Sequence, residues 1–369
     1  MTDARIKEVR SWTCRVPLSR PIVMGEIRFE YREYIVVEIV TEDGASGIGY
    51  GMTRNGPVQA IVERTLRPLL VGADATMTEQ HWERLYYTNL PMGQRGVFMR
   101  ALSAVDIALW DLKAKFAGMP LWKLLGGFRD RVPALVAGGY AGANVTPGDL
   151  EREVADYVDH GYGAVKIAAG ELQEDTARLE AARSGAGKAR LAYDAHWAWR
   201  SAVEVLSVVR TWDRFDLAWI EDPFPSEMVD AVARLRAGCA IPLALGEDGM
   251  GRWTFLEILR RGQADYLRID ATAMGGISEA VRVCGLASAY GIQVSPHIFA
   301  EVHIHLGAAF PGVLYVEMTE PRYEVDLMYR LLTRRLEQHD GQVEAPKGPG
   351  LGVELDRRAV EKFAVKAEA

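Results

Sequence analysis

The sequence predicts an α/β fold in which parallel strands close into a barrel, and three observations support this prediction. From about residue 131, short apolar strands alternate with helical stretches, as in parallel βαβ units. Eight such strands follow one another with no strand-only stretch among them, which favours a closed barrel over an open sheet. The chain of 369 residues exceeds the roughly 250 that a (β/α)₈ barrel needs, so it can hold a second domain.

The first third of the chain lacks this barrel rhythm. Residues 34–40 (YIVVEIV) and 46–50 (SGIGY) flank a TEDG turn and predict a hairpin. Helices are expected near residues 57–70 and 78–89. The longest predicted helix covers about 98–117, because its apolar residues recur at spacings of three and four and build one stripe.

The barrel strands are predicted from short apolar runs that lead into a polar or charged residue. They are 132–137, 163–168, 190–194, 217–221, 242–247, 266–270, 292–297 and 313–318. After about residue 320 the alternation stops, and the turn-rich stretch 341–352 indicates a return of the chain. The C-terminal segment is therefore expected to pack against the N-terminal domain.

Composition excludes some classes of function. The formal charge of −7, from 43 basic and 50 acidic residues, argues against a nucleic-acid surface. The N-terminus has no apolar signal core and no apolar run approaches 18 residues, so we expect a cytoplasmic protein without a membrane partner. The scattered Cys14, Cys239 and Cys284 are interpreted as small buried hydrophobes in a reducing compartment.

Candidate functional residues stand at the ends of the predicted strands. In a parallel barrel all strand carboxyl ends lie on one face, where active sites are built. A single acid after a strand is more often a helix cap, but three acids on consecutive strands, 27 and 26 residues apart, are not explained that way. Six strands carry an ionisable group at or near their carboxyl ends: Asp194, Glu221, Glu247, Asp270, His297 and Glu317.

The three consecutive acids predict a metal site. Unpaired, Asp194, Glu221 and Glu247 would repel one another and raise each other's pKa values. A hard divalent cation with oxygen ligands resolves that conflict, and Mg²⁺ is the default choice over zinc.

Three further residues extend the predicted site. Asp270 and His297 end neighbouring strands, where a carboxylate can fix the tautomer of an imidazole and raise its basicity. A lone histidine is more often a core residue bonded to a backbone carbonyl, but its place beside the predicted metal cluster favours catalysis. Lys166 lies near the end of the second strand and is expected to meet an anion, because lysines are rarely buried without a partner.

These residues and their surroundings resemble the enolase superfamily, and within it the mandelate racemase-like subgroup (the mandelate racemase/muconate lactonizing enzyme family). The segments ALSAVDIALWDLKAK, YDAHWAW, WIEDP, LGED, SPH, YVE and PGLGVELD carry the resemblance over nearly the whole chain. It implies a modified (β/α)₇β TIM-like barrel with an α+β capping domain formed by both termini. The expected parts are a capping domain 1–128, a catalytic barrel 129–319 and a returning segment 320–369.

The resemblance also implies a role for each residue at the strand ends. Asp194, Glu221 and Glu247 become the Mg²⁺ ligands. His297 becomes the general base that removes the proton next to a substrate carboxylate, giving an enediolate, and Asp270 its orienting partner. The remaining two residues act on that carboxylate: Lys166 neutralises it, and Glu317 donates a hydrogen bond or gives electrostatic aid.

Members of the subgroup commonly carry the motif K-x-K on the second barrel strand. This sequence differs there, because its motif is Lys166-Ile167-Ala168. Ala168 replaces the second lysine, a base on the face opposite the histidine, which disfavours two-base racemisation. The leading expectation is therefore a lyase, an acid sugar dehydratase that forms a 2-keto-3-deoxy acid. The alternatives are a racemase or epimerase of a 2-hydroxy acid and a non-catalytic barrel. Muconate cycloisomerase-like chemistry is disfavoured, because those members carry a lysine where Asp270 stands.

Other expectations concern the substrate and the environment of the site. His196, Met24 and Arg54 are predicted substrate-binding residues. For His196, a supporting hydrogen bond to Asp194 is an equally good interpretation. Arg268 is expected to be the buried partner of a neighbouring acid. The expected partners are a small-molecule carboxylate, which the resemblance implies is a sugar acid, and further copies of the chain, since relatives are often homo-oligomers.

Overall fold

The structure, a computed structural model, describes residues 3–24, 27–140 and 145–365. The chain begins with an antiparallel sheet of three strands in the order β1 (Ile6–Met24), β2 (Ile27–Thr41) and β3 (Ser46–Met52). The predicted hairpin is present as β2 and β3, and both strands are longer than expected. Strand β1 was not expected from the sequence.

A set of helices packs on this sheet. They are α1 (Val58–Ile61), a π-helical turn (Val62–Leu66), α2 (Arg67–Leu70), α3 (Thr78–Thr88), a 3₁₀ turn (Leu90–Met92), α4 (Val97–Phe116) and α5 (Leu121–Leu124). The long helix α4 lies so close to β3 that a Cβ atom on Gly47 or Gly49 would overlap the backbone of Ala108 or Ala104. This close contact explains the glycines of β3.

Eight parallel strands form the barrel in the described residues. They are β4 (Arg131–Gly138), β5 (Ala164–Ala168), β6 (Arg190–Asp194), β7 (Leu217–Glu221), β8 (Leu243–Leu245), β9 (Tyr266–Ile269), β10 (Gln293–Pro296) and β11 (Val316–Met318). Each strand pairs with the next, β11 pairs with β4, and Val294 of β10 bridges Val313 just before β11. The ring is thereby closed, and the predicted modified (β/α)₇β barrel is confirmed.

In the part of the chain that the structure describes, seven helices connect the barrel strands. They are α6 (Pro147–Asp159), α7 (Leu172–Ala186), α8 (Ala202–Val209), α9 (Val229–Gly238), α10 (Gly251–Arg260), α11 (Gly276–Ala289) and α12 (Ala300–Ala309), with a 3₁₀ turn at Trp212–Phe215 after α8. The first of them begins with a capping box, in which the side chains of Thr146 and Asp149 each bond the backbone N–H of the other. Each helix carries the chain back so that the next strand runs parallel to the last.

The interior of the barrel is filled below its carboxyl end. Trp219 of β7 is fully buried in a cluster with Ala164, Ala192 and Ala244 of β5, β6 and β8, and its ring also packs near those of Tyr266 and Tyr315. This packing fills the interior of the barrel, as expected for a barrel whose interior is a core rather than a pore. The indole Nε1 of Trp219 also donates to Glu221 Oε2 at 3.0 Å, which links the packed interior to the carboxyl ends of the strands.

The C-terminal segment returns to the N-terminal sheet, as predicted. It contains 3₁₀ turns (Pro321–Tyr323 and Met328–Leu331), β12 (Gln338–His339), β13 (Gln342–Glu344), which pairs antiparallel with β4, and α13 (Arg357–Phe363). Tyr34 donates to Asp326 at 2.5 Å, and Val365 N donates to Thr13 O at 2.7 Å. Both termini therefore build the capping domain, while the boundaries at residues 128 and 319 remain predictions.

The three cysteines are free thiols. Cys14 and Cys284 are buried, as expected, whereas Cys239 is partly exposed. Among the helices of the described ranges, none combines the length and apolar character needed to cross a bilayer.

Candidate active site at the carboxyl ends of the barrel strands

Three carboxylates meet at the open end of the barrel. Asp194 and Glu221 are the last residues of β6 and β7 and are register partners, so their side chains lie next to each other. Glu247 follows the short strand β8 by two residues. One carboxylate oxygen from each of the three lies within 4.8 Å of the others, and all three residues are at most 2% exposed.

This cluster fits a hard divalent cation. Glu247 Oε2 is buried and has no hydrogen-bond donor among the described residues, and Asp194 Oδ2 has only an ion pair, with Lys166 Nζ at 3.0 Å. Buried carboxylate oxygens normally have hydrogen-bond partners. The all-oxygen donor set and these under-satisfied atoms match the coordination preference of Mg²⁺, and Asp194, Glu221 and Glu247 could hold one ion.

Lys166 of β5 meets three carboxylates. Its Nζ lies 2.8 Å from Glu221 Oε1 and 3.3 Å from Glu317 Oε2, in addition to the contact with Asp194. Burial opposes the charged form of this lysine, but the negative charges of the three acids hold its pKa well above the usual value. The expectation that Lys166 meets an anion agrees with these contacts.

Arg268 of β9 is a second buried cation beneath the cluster. Its Nε lies 2.9 Å from Glu221 Oε1 and its Nη2 contacts Glu317, so one guanidinium bridges two acids. Its Nη1 donates to Ser295 O and Oγ and to Pro296 O at 2.8–2.9 Å. Burial would raise the pKa of Glu221, but Arg268 and Lys166 lower it below its usual value. The interpretation of Arg268 as a buried partner of an acid agrees with this arrangement.

His297 and Asp270 form a pair beside the acids. Asp270 and His297 directly follow β9 and β10, and His297 Nδ1 lies 3.1 Å from Asp270 Oδ2. The other oxygen of Asp270 accepts the backbone N–H and the hydroxyl of Thr272, each at 2.7 Å. His297 Nε2 is left facing Glu247 Oε1 at 3.3 Å. The imidazole is thus held by one nitrogen and aims the other towards the three acids.

The pKa values of the pair move in opposite directions. Burial raises the pKa of Asp270, but the hydrogen bond and charge of His297 outweigh it and bring that pKa to about 2. Burial lowers the pKa of His297, but Glu247 and Asp270 raise it above its ordinary value. The mutual shifts are those of a carboxylate and an imidazole that stabilise each other's charged forms.

Asp222 positions one acid of the cluster and was not singled out from the sequence. Its two carboxylate oxygens accept the backbone N–H groups of Gly246 and Glu247 at 2.9 and 3.1 Å. Burial, together with the charges of Glu247 and Glu221, raises its pKa well above the usual value. The D of the WIEDP motif was the available signal, since it directly follows a residue predicted to bind metal.

Two of the three predicted substrate-binding residues, His196 and Arg54, have side chains that the structure describes. His196 donates its backbone N–H to Asp194 Oδ1 at 3.1 Å, and its ring Nδ1 lies 3.2 Å from Asp194 O. Arg54 Nη2 lies 3.3 Å from Glu247 Oε1. The side chain of Met24 lies outside the described residues. His196 therefore supports Asp194, and both His196 and Arg54 also line the cavity that opens over the site.

This cavity has a volume of about 980 Å³ and lies between the capping domain and the barrel. Its capping-domain side comprises Phe29, Tyr31, Arg32, Glu33, Met52, Arg54 and Asn55. Its barrel side comprises residues 168–173 and 195–201, together with Tyr140, Glu204, Val205 and Asp248. Ala168 lies in this wall, on the same side of β5 as Lys166. Sequence reasoning missed Tyr140, although it follows β4 by two residues, where the strand-end pattern applies.

The neighbouring histidines His303 and His305 point apart, as expected for positions i and i+2 of a helix. His303 Nδ1 donates to Ile298 O at 2.6 Å and its Nε2 accepts from Ala271 N at 2.9 Å. His305 is bonded to Trp122 N and Leu351 O on the other side of α12. Both rings join backbone segments, which is a structural role.

Family comparisons cover both parts of the chain. Residues 6–126 match the family model described as mandelate racemase / muconate lactonizing enzyme, N-terminal domain. Residues 149–359 match the model described as enolase C-terminal domain-like.

Individual relatives carry different reaction names. The chain is 34% identical to a D-galactarolactone cycloisomerase of Agrobacterium fabrum, over 97% of this chain and 98% of that protein. It is 31% identical to an arabinonate dehydratase of Saccharolobus solfataricus, over 91% of each. A racemase from Streptomyces coelicolor A3(2), solved with bound magnesium, has a similar structure, with a TM-score of 0.91 and 30% identity over 98% of this chain and 100% of that one.

Proposed function

The chain belongs to the mandelate racemase/muconate lactonizing enzyme family of the enolase superfamily, and on this premise we propose that it is an acid sugar dehydratase. In this proposal it removes the proton α to a substrate carboxylate and then eliminates water to form a 2-keto-3-deoxy acid. The observation that carries the proposal is the orientation of His297, whose Nδ1 is held by Asp270 and whose Nε2 faces the acid cluster.

The proposed cofactor is Mg²⁺, held by Asp194, Glu221 and Glu247. When bound, the ion would act as a Lewis acid and stabilise negative charge on the substrate carboxylate. The under-satisfied oxygens of Asp194 and Glu247 support this assignment, and so does the magnesium in the related Streptomyces structure.

His297 is the proposed general base. Asp270 accepts the Nδ1 proton of the ring, which leaves the lone pair of Nε2 free to take the α-proton. Lys166 is the proposed donor to the substrate carboxylate, because its Nζ is already cationic and lies among the acids at the strand ends. Its charge offsets the second negative charge that builds up when the α-proton leaves. Glu317 is the proposed further contact to that carboxylate.

The second step of the proposed reaction is loss of the β-hydroxyl. The electron pair freed at the α-carbon forms the Cα–Cβ double bond, and the bond from Cβ to the hydroxyl breaks. Protonated His297 gives its proton to the departing hydroxyl, so that one molecule of water is lost and the histidine is regenerated. The resulting enol tautomerises to the 2-keto acid.

Ala168 favours elimination over racemisation. A racemase needs a second base that delivers a proton to the opposite face of the α-carbon, and at this place in the cavity wall the chain has a methyl group. A non-catalytic barrel is disfavoured because the buried Glu247 Oε2 has no hydrogen-bond donor among the described residues, and a bound metal ion would satisfy it.

A second candidate, cycloisomerisation, is supported by the 34% identity to the Agrobacterium protein named as a cycloisomerase. Here the same base would remove the α-proton, and the group leaving the β-carbon would be a ring oxygen. Because this oxygen stays in the product, no water is released. Product analysis separates the two: the dehydratase gives a product lighter by one water, and the cycloisomerase an isomer.

The test is a screen of aldonic and aldaric acids for 2-keto acid formation in the presence of Mg²⁺, with EDTA as the comparison. His297→Asn should lower turnover about 10²–10⁴-fold, the usual contribution of a general base. The exposed His160 offers a matched control, and His160→Asn should keep normal turnover. Full turnover in metal-free protein would contradict the cofactor assignment. Near-normal turnover in His297→Asn would move the base elsewhere, with His196 the first candidate.

A further inference from the structure

A buried arginine lines the cavity and forms no ion pair within the described residues. Arg32 of β2 is only 6% exposed, and its Nε donates to Val325 O at 2.9 Å. The guanidinium also lies over the Phe29 ring, 5.3 Å from its centroid. Within residues 3–24, 27–140 and 145–365, no carboxylate lies within ion-pair distance of Arg32 and no acceptor lies within reach of its terminal amino groups. A buried guanidinium normally has such a partner.

The other charged groups in this part of the cavity are already engaged. Arg54 contacts Glu247. Glu33, the neighbour of Arg32, forms an ion pair with Arg15 at 2.6 Å and accepts the hydroxyl of Thr53 at 2.5 Å. Arg32 therefore leaves a positive charge that an anion in the cavity can neutralise.

Arg32 and the acid cluster lie on different domains. Arg32 belongs to the capping domain, whereas Lys166 and the acid cluster belong to the barrel, and the cavity extends from Ala168 at the barrel to Arg32 at the cap. A substrate whose α-carboxylate lies at the cluster would extend along this cavity towards Arg32. The Nε of Arg32 is occupied by Val325 O, so its two terminal amino groups remain available to an acceptor in the cavity.

We propose that Arg32 binds the distal carboxylate of the substrate, so that the preferred substrates are sugar diacids (aldaric acids) rather than sugar monoacids. This proposal rests on the proposed function, since it assumes that the first carboxylate lies at the acid cluster. The geometry fits because a guanidinium binds a carboxylate through two parallel N–H donors, whereas a terminal hydroxymethyl group carries no charge to offset a buried cation.

The test uses pairs of acids that differ only at the distal carbon: galactarate with galactonate, and glucarate with gluconate. For the Mg²⁺-loaded enzyme we expect kcat/KM of the better diacid to exceed that of its monoacid partner by about 10²–10³-fold, since an unmatched buried charge costs that much in binding. Arg32→Gln should bring this ratio to within about tenfold, and Arg32→Lys, which keeps the charge, should restore part of it. Arg28→Gln, at an exposed arginine of the same strand, should leave the ratio unchanged.

A binding measurement separates this proposal from the proposed reaction. Titration calorimetry on Mg²⁺-loaded His297→Asn should show tighter binding of the diacid, and Arg32→Gln in that background should remove the preference. A diacid preference without turnover of any acid would support the Arg32 site and contradict the dehydratase assignment. Turnover with equal kcat/KM for both members of each pair, or a ratio unaffected by Arg32→Gln, would overturn the proposal for Arg32.

Discussion

Replacing Arg268 with methionine should destabilise the metal-free protein strongly. The guanidinium is fully buried, is shared between Glu221 and Glu317, and donates three hydrogen bonds to the Ser295–Pro296 segment. Methionine fills much of the same space but supplies neither the charge nor the donors. Removing one partner of a buried ion pair costs about 3–5 kcal/mol, because the remaining charge is left uncompensated.

This free energy corresponds to a measurable shift in the unfolding temperature. An unfolding entropy of about 2.1 cal/mol/K per residue gives about 0.8 kcal/mol/K for 369 residues, so the midpoint should fall by about 4–6 °C. Differential scanning calorimetry in EDTA measures it. Adding Glu317→Gln to Arg268→Met should recover part of the loss, because it removes one uncompensated carboxylate.

A surface arginine provides the matched control. Arg260 is exposed and pairs with Glu257 at 3.5 Å, a contact worth about 0–1 kcal/mol, so Arg260→Met should shift the midpoint by about 1 °C or less. If Arg268→Met falls within the same small range, or if Glu317→Gln recovers nothing in its background, Arg268 is not the main cation that balances these acids.

Three further predictions concern the metal, the second base and a buried acid. Mg²⁺ at about 100 times its dissociation constant should raise the calorimetric midpoint by about 3 °C, and Asp194→Asn should abolish this rise. Ala168→Lys should introduce exchange of the α-proton at the opposite C2 epimer, seen by NMR in D₂O, because the charge of Lys166 lowers the pKa of the new lysine and leaves its amine unprotonated and able to accept a proton. Burial raises the pKa of Glu301 from 4.5 to about 7, so the native state binds this proton more tightly than the unfolded chain and stability falls as pH rises through that window. Glu301→Gln should therefore gain midpoint temperature over wild type at pH 8 but not at pH 4.5, and an equal difference at both values would be incompatible with this shift.

The sequence was sufficient to predict the barrel but not the first strand of the cap. The barrel strands are short, buried on both faces and separated by helices, so each is visible as an apolar run. In β1 the buried positions change phase from Ile6 to Val9, where the register shifts between Ile6 and Glu8, and again from Ser11 to Cys14, where the pairing with β2 is continuous. Strand recognition from sequence depends on an unbroken period of two, and a bulge breaks it.

The same distinction applies to the site. The proximity of the residues at the strand ends could be predicted from the sequence, because parallel strands place all their carboxyl ends on one face. The place of Arg32 in the site could not be predicted, since Arg32 lies within a capping-domain strand and lines the cavity only because of how that domain packs on the barrel. The triple contact of Lys166 likewise depends on side-chain reach inside the closed barrel, although an anionic partner was expected.

Deuterium exchange at C2 tests the central claim most directly, namely that His297 alone removes the α-proton from one face. The Mg²⁺-loaded enzyme is incubated in D₂O with each C2 epimer of a substrate found in the screen, and C2 is followed by NMR. We predict exchange or conversion of one epimer only, and none in His297→Asn. Exchange of both epimers by the wild-type enzyme, or continued exchange in His297→Asn, would contradict a single-base mechanism at His297.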